Sequence, residues 1–317
     1  MAQFIVRRVL QAIPTLIGVT MLSFLLLHIV PGDPARVMLG QYYTPARAQA
    51  IDISLGLNHP LYIQYLIWLW NLIHLNLGYS YQYSVSVGSL IAGALPHTLL
   101  LVAIAITVAH VLSVLLGTVQ GYVRNTPFDV GATVVNYFFF AMPPFWLGIV
   151  LIMIFAIALG WLPSGGITNS LVAHPSFGDV VRHLVLPDGT LILLSMAVWS
   201  RYMRTRMVET LQADFIRTAR AKGLTEARVV VGHALRNSVM PLITLLGLSL
   251  PALFAGALVI EEIFNYPGMG LLFFNAANER DYPTLLGIIV IVGALTIFGN
   301  LLADLLYGMV DPRIQYN

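Results

Sequence analysis

The sequence predicts an all-α integral membrane protein with six transmembrane helices. Three observations carry that prediction. Hydrophobic residues make up 58% of the 317 positions and charged ones only 9%, against roughly 25% charged in a soluble domain. So few charges cannot cover a water-facing surface, where exposed apolar area drives aggregation. Six apolar runs approach or exceed about 20 residues, the length that crosses ~30 Å of hydrocarbon as helix. Basic residues gather on one side of the alternating loops. Mean hydropathy is +0.82. The chain has no Cys, which excludes disulfides, Cys-ligated zinc and Cys nucleophiles. A net charge of +2 over this length offers no basic patch to nucleic acid.

The expected spans are about 9–30, 97–121, 133–160, 184–203, 238–262 and 285–309. Arg7 and Arg8 precede the first, and Pro31-Gly32-Asp33-Pro34 stops it. Its apolar run is longer than the 7–15 residues of a signal-peptide core, and no small-x-small cleavage site follows, so it reads as an uncleaved span. The stretch Leu61–Leu77 is apolar but holds Gln64, Asn71, His74 and Asn76. Helical spacing of Leu61, Tyr65, Trp68, Leu69, Leu72 and Leu75 favours an amphipathic helix lying in the interface; a short span is the alternative. Gly121 and Arg124 follow the second span. Trp161-Leu162-Pro163 ends the third with an interfacial aromatic. Arg201, Arg204 and Arg206 end the fourth, Tyr266-Pro267-Gly268 follows the fifth, and Asp311-Pro312 the sixth.

Charge distribution orients the chain. With six spans and both termini cytoplasmic, 12 of the 16 basic residues face inward, and Arg36, Arg47, Arg182 and Arg280 stay outside. A seventh span at Leu61–Leu77 would turn the cluster from Arg201 to Arg236 outward, against the positive-inside rule.

The inner loop, 204–237, has the composition of folded structure. Asp214 can cap a short helix from Phe215 to Lys222, and Gly223 can end it in the left-handed conformation. Thr225 can cap a second helix, Glu226 to Arg236. Phe215 and Ile216 beside Arg217, Arg220 and Lys222 make an apolar anchor with a basic rim. That pattern suits a groove on a cytoplasmic partner or anionic lipid.

Arg217-Thr218-Ala219-Arg220-Ala221-Lys222-Gly223, followed by His233-Ala234-Leu235-Arg236-Asn237 and Pro241, resembles the cytoplasmic loop of ABC-importer permeases. The general motif is Glu-Ala-Ala, three residues, then Gly; Arg217, Thr218, Ala219 and Gly223 fall on it. Arg217 in place of Glu is similar to the peptide-permease branch. Other segments agree in order: Leu95-Pro96-His97-Thr98-Leu99, Pro143-Pro144-Phe145-Trp146, Glu261-Glu262-Ile263-Phe264-Asn265-Tyr266-Pro267-Gly268-Met269-Gly270, Asp281-Tyr282-Pro283 and Asp311-Pro312-Arg313. Asn76 stands where these permeases more often carry an acidic residue before Leu-Gly.

The resemblance implies the type I ABC importer permease fold, MetI-like. It implies a first span with an extracytoplasmic segment over 1–94, a five-helix core over 95–309 holding the coupling loop 204–237, and a cytoplasmic tail over 310–317. It implies a second, homologous permease subunit in a heterodimer, two cytoplasmic ATPase subunits, an extracytoplasmic substrate-binding protein, and the plasma membrane of a prokaryote. The cargo it implies is di- or oligopeptide, with nickel chelates or glutathione as alternatives. Phe215, Arg217, Thr218, Ala219, Lys222 and Gly223 would form the coupling helix. ATP and magnesium would sit on the ATPases, and this chain would bind no cofactor. No G-x-x-x-x-G-K-[ST], H-E-x-x-H or G-x-S-x-G occurs in it.

Polar and breaking residues within spans are the remaining candidates. Pro143 and Pro144 read as a packed kink or a gate hinge, and Pro251 likewise. Glu261 and Glu262, with Gly268 and Gly270, read as a surface turn or a loop dipping toward the pore. His110 reads as a helix–helix hydrogen bond or a pore-facing group. His28 and Asp304 lie near span ends, where snorkelling reaches the interface; Asn136 and Asn300 are the other intramembrane polar groups. His174, Asp179, His183 and Asp188 read as a polar membrane-edge loop, with no established metal-ligand spacing. A secondary transporter would show repeated halves or midplane acidic pairs, and an intramembrane enzyme a convergent catalytic set. Neither is visible.

Overall fold

In hydrocarbon, backbone N–H and C=O groups must pair within the protein, which favours helix. The computed structural model describes residues 2–29, 39, 42–54, 56–80, 82–169, 176–240, 242 and 257–310, with backbone alone at 2–9, 26–29, 54 and 302–310. In order these form α1 (Ala2–Ile29), α2 (Pro45–Ser54), α3 (Leu61–Ile73), α4 (Val87–Tyr122), α5 (Pro127–Phe140), α6 (Pro144–Leu151), α7 (Phe177–Leu211), α8 (Asp214–Ala221), α9 (Met269–Glu279) and α10 (Tyr282–Val310). Two segments are wound as π-helix, Ile152–Ala158 directly after α6 and Arg228–Leu235.

Among the described residues, α4, α7 and Tyr282–Leu301 of α10 are each long and apolar enough to cross a membrane. Pro127–Phe140 and Pro144–Ala158 pass that test together but are bent by 105°. The expected first span is α1, whose described side chains include an apolar stretch from Leu10 to Leu25. The expected fifth span lies mostly outside the described residues, as do Pro31-Gly32-Asp33-Pro34, His174, Pro241, Pro251 and the tail 311–317. The side chains of His28 and Asp304 lie outside them too.

Three expected boundaries are corrected. The second span's helix begins at Val87 and takes Pro96 into its interior. Proline there removes one backbone bond, but the turns before it are packed, with Val87, Ile91 and Ala94 buried against Met269 and Ile288. The fourth span's helix continues past Arg201, Arg204 and Arg206 to Leu211. Charges end a membrane crossing but not a helix, because arginine is a good helix former. The third span is not one helix with a kink. Pro144 pushes Pro143 to extended backbone (φ −63°, ψ 137°), and two helices meet there at 105°.

At about 1.5 Å per residue, the thirteen residues of α3 reach ~20 Å, short of a full crossing. No α3 residue is fully buried. It leans on α1 through a 3.0 Å hydrogen bond between the Thr20 and Tyr65 hydroxyls. Phe24 adds ring contacts to Tyr65 and Trp68 at 5.5 and 6.1 Å.

The chain divides into two compact units, Met1–His97 with Pro267–Ile297 and Thr98–Tyr266 with Phe298–Asn317. In the first, fully buried Asp281 accepts hydrogen bonds from the hydroxyls of Ser80 and Thr284. This pins the turn around Tyr79–Ser86 to the start of α10.

The second unit is organised around α7. A Cβ on Gly117 of α4 would stand 2.5 Å from Met203 Cβ and 2.6 Å from the Ser200 carbonyl oxygen; on Gly121 it would stand 2.6 Å from Met207 Cβ. The two glycines, four apart, let α4 and α7 touch backbone to side-chain root. Asn136 of α5 donates to Ser200 Oγ at 2.9 Å. His110 Nε2 lies 3.4 Å from the Leu242 carbonyl, and its ring stands edge-on to Trp199 at 4.2 Å. His110 is thus engaged in helix–helix contacts.

Gly117→Ala is expected to destabilise the purified protein by about 1–3 kcal/mol through overpacking. Gly131→Ala, where nothing lies within 4 Å, is expected to be neutral or to gain up to about 1 kcal/mol of helix propensity. Unfolding midpoints in detergent measure both; equal midpoints would remove the argument for a glycine groove.

Candidate functional site: the inner-loop helix and its seat

Helix α8 is amphipathic over only eight residues. Ile216 and Ala219, three apart, are 0% and 6% exposed. They face a cluster of Met203, Met207, Val229, Ala234 and Leu242, with Leu211 and Leu224 packed against it. Phe215 is 46% exposed on the other side, and Arg217, Thr218, Lys222 and Gly223 are exposed with it. Of the residues expected to meet a partner, Phe215, Arg217, Thr218, Lys222 and Gly223 therefore lie on the outer surface, and Ala219 belongs to the seat. Sequence spacing had left Phe215 and Ile216 as one anchor. The fold separates them, because successive helical residues sit about 100° apart.

Both ends of α8 have a definite geometry. Asp214 is not the cap: it is the first helical residue, and Ala213 holds the cap position without a side-chain hydrogen bond. Ala213 is extended (φ −70°, ψ 149°), and Asp214 instead places its carboxylate at the positive helix end, 3.5 Å from Arg217. At the other end Gly223 has φ +78°. Its N–H donates to the Arg220 carbonyl at 2.9 Å and that of Leu224 to the Ala219 carbonyl at 3.4 Å. This is the Schellman pattern, with Leu224 supplying its apolar contact. A Cβ on Gly223 would meet nothing, so backbone conformation rather than space calls for glycine.

Arg220 closes the turn. Its Nε and Nη2 donate to the Glu226 carboxylate at 2.8 and 3.3 Å. That hydrogen bond raises the Arg220 pKa above its ordinary value, burial opposing it slightly. The pair is 41% and 50% exposed, so it contributes only about 0–1 kcal/mol. Its effect is to set direction. The expected second helix, Glu226 to Arg236, starts as α but winds as π-helix over Arg228–Leu235. Ser238, just beyond, donates to the Arg206 carbonyl at 3.3 Å and the Thr210 hydroxyl at 3.0 Å. The returning chain is thereby fixed to α7.

The gate candidates are placed differently. Pro143 and Pro144 are exposed at the 105° corner. Glu261 is fully buried and accepts from the Thr98 hydroxyl at 2.6 Å. Glu262 is half-buried, and its Oε2 has no hydrogen-bond partner. Gly268 and Gly270 are buried at the start of α9, in the other unit. In the second unit a Cβ on Gly165 would stand 2.2 Å from the Phe264 carbonyl oxygen, and Gly166 N–H donates to that oxygen at 2.8 Å. His183 Nδ1 lies 2.8 Å from the Asp179 carbonyl, and Asp179 Oδ2 accepts from Asn169 N–H at 2.8 Å. Among the described residues no three metal-ligating side chains converge.

Sequence reasoning missed two features. The seat was readable in part: Gly117-x-x-x-Gly121 in an apolar run is a close-packing signal. The ion pair of buried Asp129 with half-buried Arg204 at 2.6 Å had no local signal, since 75 residues separate its partners.

Ile216→Ala is expected to cost about 2–5 kcal/mol of stability as a buried large-to-small change. Phe215→Ala, exposed, should stay within about 0.5 kcal/mol. Equal losses in thermal unfolding of the two variants would contradict the inward and outward assignment.

The model of the binding-protein-dependent transport system inner membrane component matches residues 113–316, and that of the N-terminal part of such membrane components matches residues 1–102. The chain is 41% identical over 317 residues, covering 100% of both chains, to the oligopeptide transport system permease protein AppB of Bacillus subtilis. It is 40% identical over 334 residues, covering 100% of this chain and 99% of the relative, to the di/tripeptide transport system permease protein DppB of Pseudomonas aeruginosa. In fold it is similar to a chain of the inward-facing MetNI methionine ABC transporter, with TM-score 0.58 and 15% identity over 70% of this chain and 96% of that one. A chain of an amino acid ABC transporter matches with TM-score 0.53 and 15% identity, over 70% and 94%. The chain thus has a type I ABC importer permease fold, and it is a member of the family of inner membrane components of binding-protein-dependent transport systems.

Proposed function

We propose that this chain forms half of the translocation pathway of an importer for di- or oligopeptides, and that α8 is its coupling helix. The observation that carries the reading is α8 itself: a short, capped helix buried on one face by its own protein and presenting Phe215, Thr218 and Lys222 on the other. An aromatic on a rigid mount is suited to a groove in a partner. A flexible loop would absorb a push; a helix seated on α7 passes it on. The family supplies the context of a binding-protein-dependent system, and the peptide-permease names of full-length relatives at 40–41% identity support the cargo.

In this reading a second, homologous permease completes the pathway as a heterodimer, two cytoplasmic ATPases hold ATP and magnesium, and an extracytoplasmic binding protein delivers cargo. The lipid bilayer is the remaining partner, and nucleic acid is not one. Both termini lie in the cytoplasm, as the basic residues between Arg201 and Arg236 favour. The chain carries no ATP site of its own: its single Lys, Lys222, precedes Gly223 rather than following a glycine as in a P-loop.

Co-purification with the products of neighbouring genes tests this directly. The unsubstituted chain is expected to bring down two ATPases, and ATP to drive peptide uptake into reconstituted vesicles. Phe215→Asp places a charge in the docking groove. Gly223→Pro demands φ near −65° where the chain has +78°. Both should lose ATPase association and transport. Survival of both functions in both variants would refute the coupling role, and uptake by the isolated chain on a proton gradient would refute the importer.

A further inference from the structure

Asp129 lies in the first turn of α5 with 1% of its side chain exposed. Arg204 of α7 meets it with a two-pronged grip, Nε on Oδ1 and Nη2 on Oδ2, each at 2.6 Å. The N–H of Asn125 adds 2.9 Å to Oδ2. Gln120, near the end of α4, donates to the Asp129 carbonyl at 3.4 Å and to the Thr133 hydroxyl at 3.3 Å. One residue thus ties the ends of α4, α5 and α7 together. The contact continues along α5, where Asn136 donates to Ser200 Oγ at 2.9 Å. The Arg201 guanidinium stands 4.5 Å from the Tyr137 ring centre and 5.2 Å from that of Phe140.

An ion pair with one buried and one half-buried partner is a weak device for stability, since desolvation offsets its attraction. What a bidentate pair supplies is fixed geometry. Here it fixes two particular parts. Arg204 sits on the stretch of α7 that runs on to Leu211 and into α8, with Met203 and Met207 beside it forming the α8 seat. Asp129 sits at the base of α5, the lower arm of the helix pair bent by 105° at Pro143-Pro144.

We infer that Asp129 and Arg204 are positioning residues that lock α5 to the arm of α7 carrying α8, so that a displacement of α8 is delivered to the bent helix pair. The inference rests on the coupling role of α8. It assigns the pair to transmission, neither to docking nor to cargo.

The chain has no Cys, so Val134→Cys and Glu209→Cys, 62% and 58% exposed, give the only labelling sites on it, and the partner subunits are used in Cys-free form. The distance between them is read by pulsed electron paramagnetic resonance in the full transporter, nucleotide-free and trapped with ATP and vanadate. With the pair intact the distance should be the same in both states. With Asp129→Asn it should shift on trapping by about 1–2 Å or more, the scale of helix displacements in such switches. Cargo moved per ATP should fall several-fold while the ATPases stay bound, and Asp129→Glu should recover both readings. If Asp129→Asn fails to assemble, Arg204→Lys keeps the charge but loses the fork and is expected to show the same shift. A distance that changes on trapping in the unsubstituted pair overturns the inference, and so does one that stays fixed in the weakened variants. Failure of the coupling reading itself would appear separately, as ATPase binding that survives Phe215→Asp.

Discussion

Met203 and Met207 hold the second unit of this molecule together. Both are fully buried. On one side they sit against Gly117 and Gly121 of α4, which have no Cβ to keep the helices apart. On another they receive Ile216 and Ala219 of α8. Unbranched, polarizable methionine fills an irregular junction of this kind well. Without the close approach of α4 the lower arm of α7 would have little to brace it. Without that arm, α8 would be an eight-residue helix, too short to be stable on its own in water.

Around this junction tightly hydrogen-bonded and irregular segments alternate. The Schellman turn at Gly223, the Arg220–Glu226 fork and the Ser238 hydrogen bonds to α7 are tightly bonded. The irregular segments are the two π-wound stretches, Ile152–Ala158 and Arg228–Leu235, and the proline corner at 143–144. π-turns are unusual in helices and concentrate at functional positions. One of them follows α8 and the other follows the bent corner.

Three buried acidic residues join parts of the chain that are far apart in sequence. Glu261 is engaged by Thr98, Asp281 by Ser80 and Thr284, and Asp129 by Arg204. A buried carboxylate without partners is costly, so these few acids are spent on joining segments distant in sequence. Motif residues such as Glu261 are therefore legible as important from the sequence, while their structural employment is not.

Membrane class, the principal helices and the site of the inner-loop helix were readable from residues alone, because each rests on a local quantity. Apolar length follows from bilayer thickness, and helix ends follow from Gly223 and proline. Boundaries failed where a local signal had to compete with packing. Pro96 does not start α4, because the turn before it is buried, and Arg201 does not end α7, because its last turns have a seat to build. The division of labour between Phe215 and Ile216, the partner of the Gly117–Gly121 groove and the Asp129–Arg204 lock depend on contacts between residues far apart in the chain. Those contacts exist only once helices are laid against one another, and no spacing along a single helix can specify them.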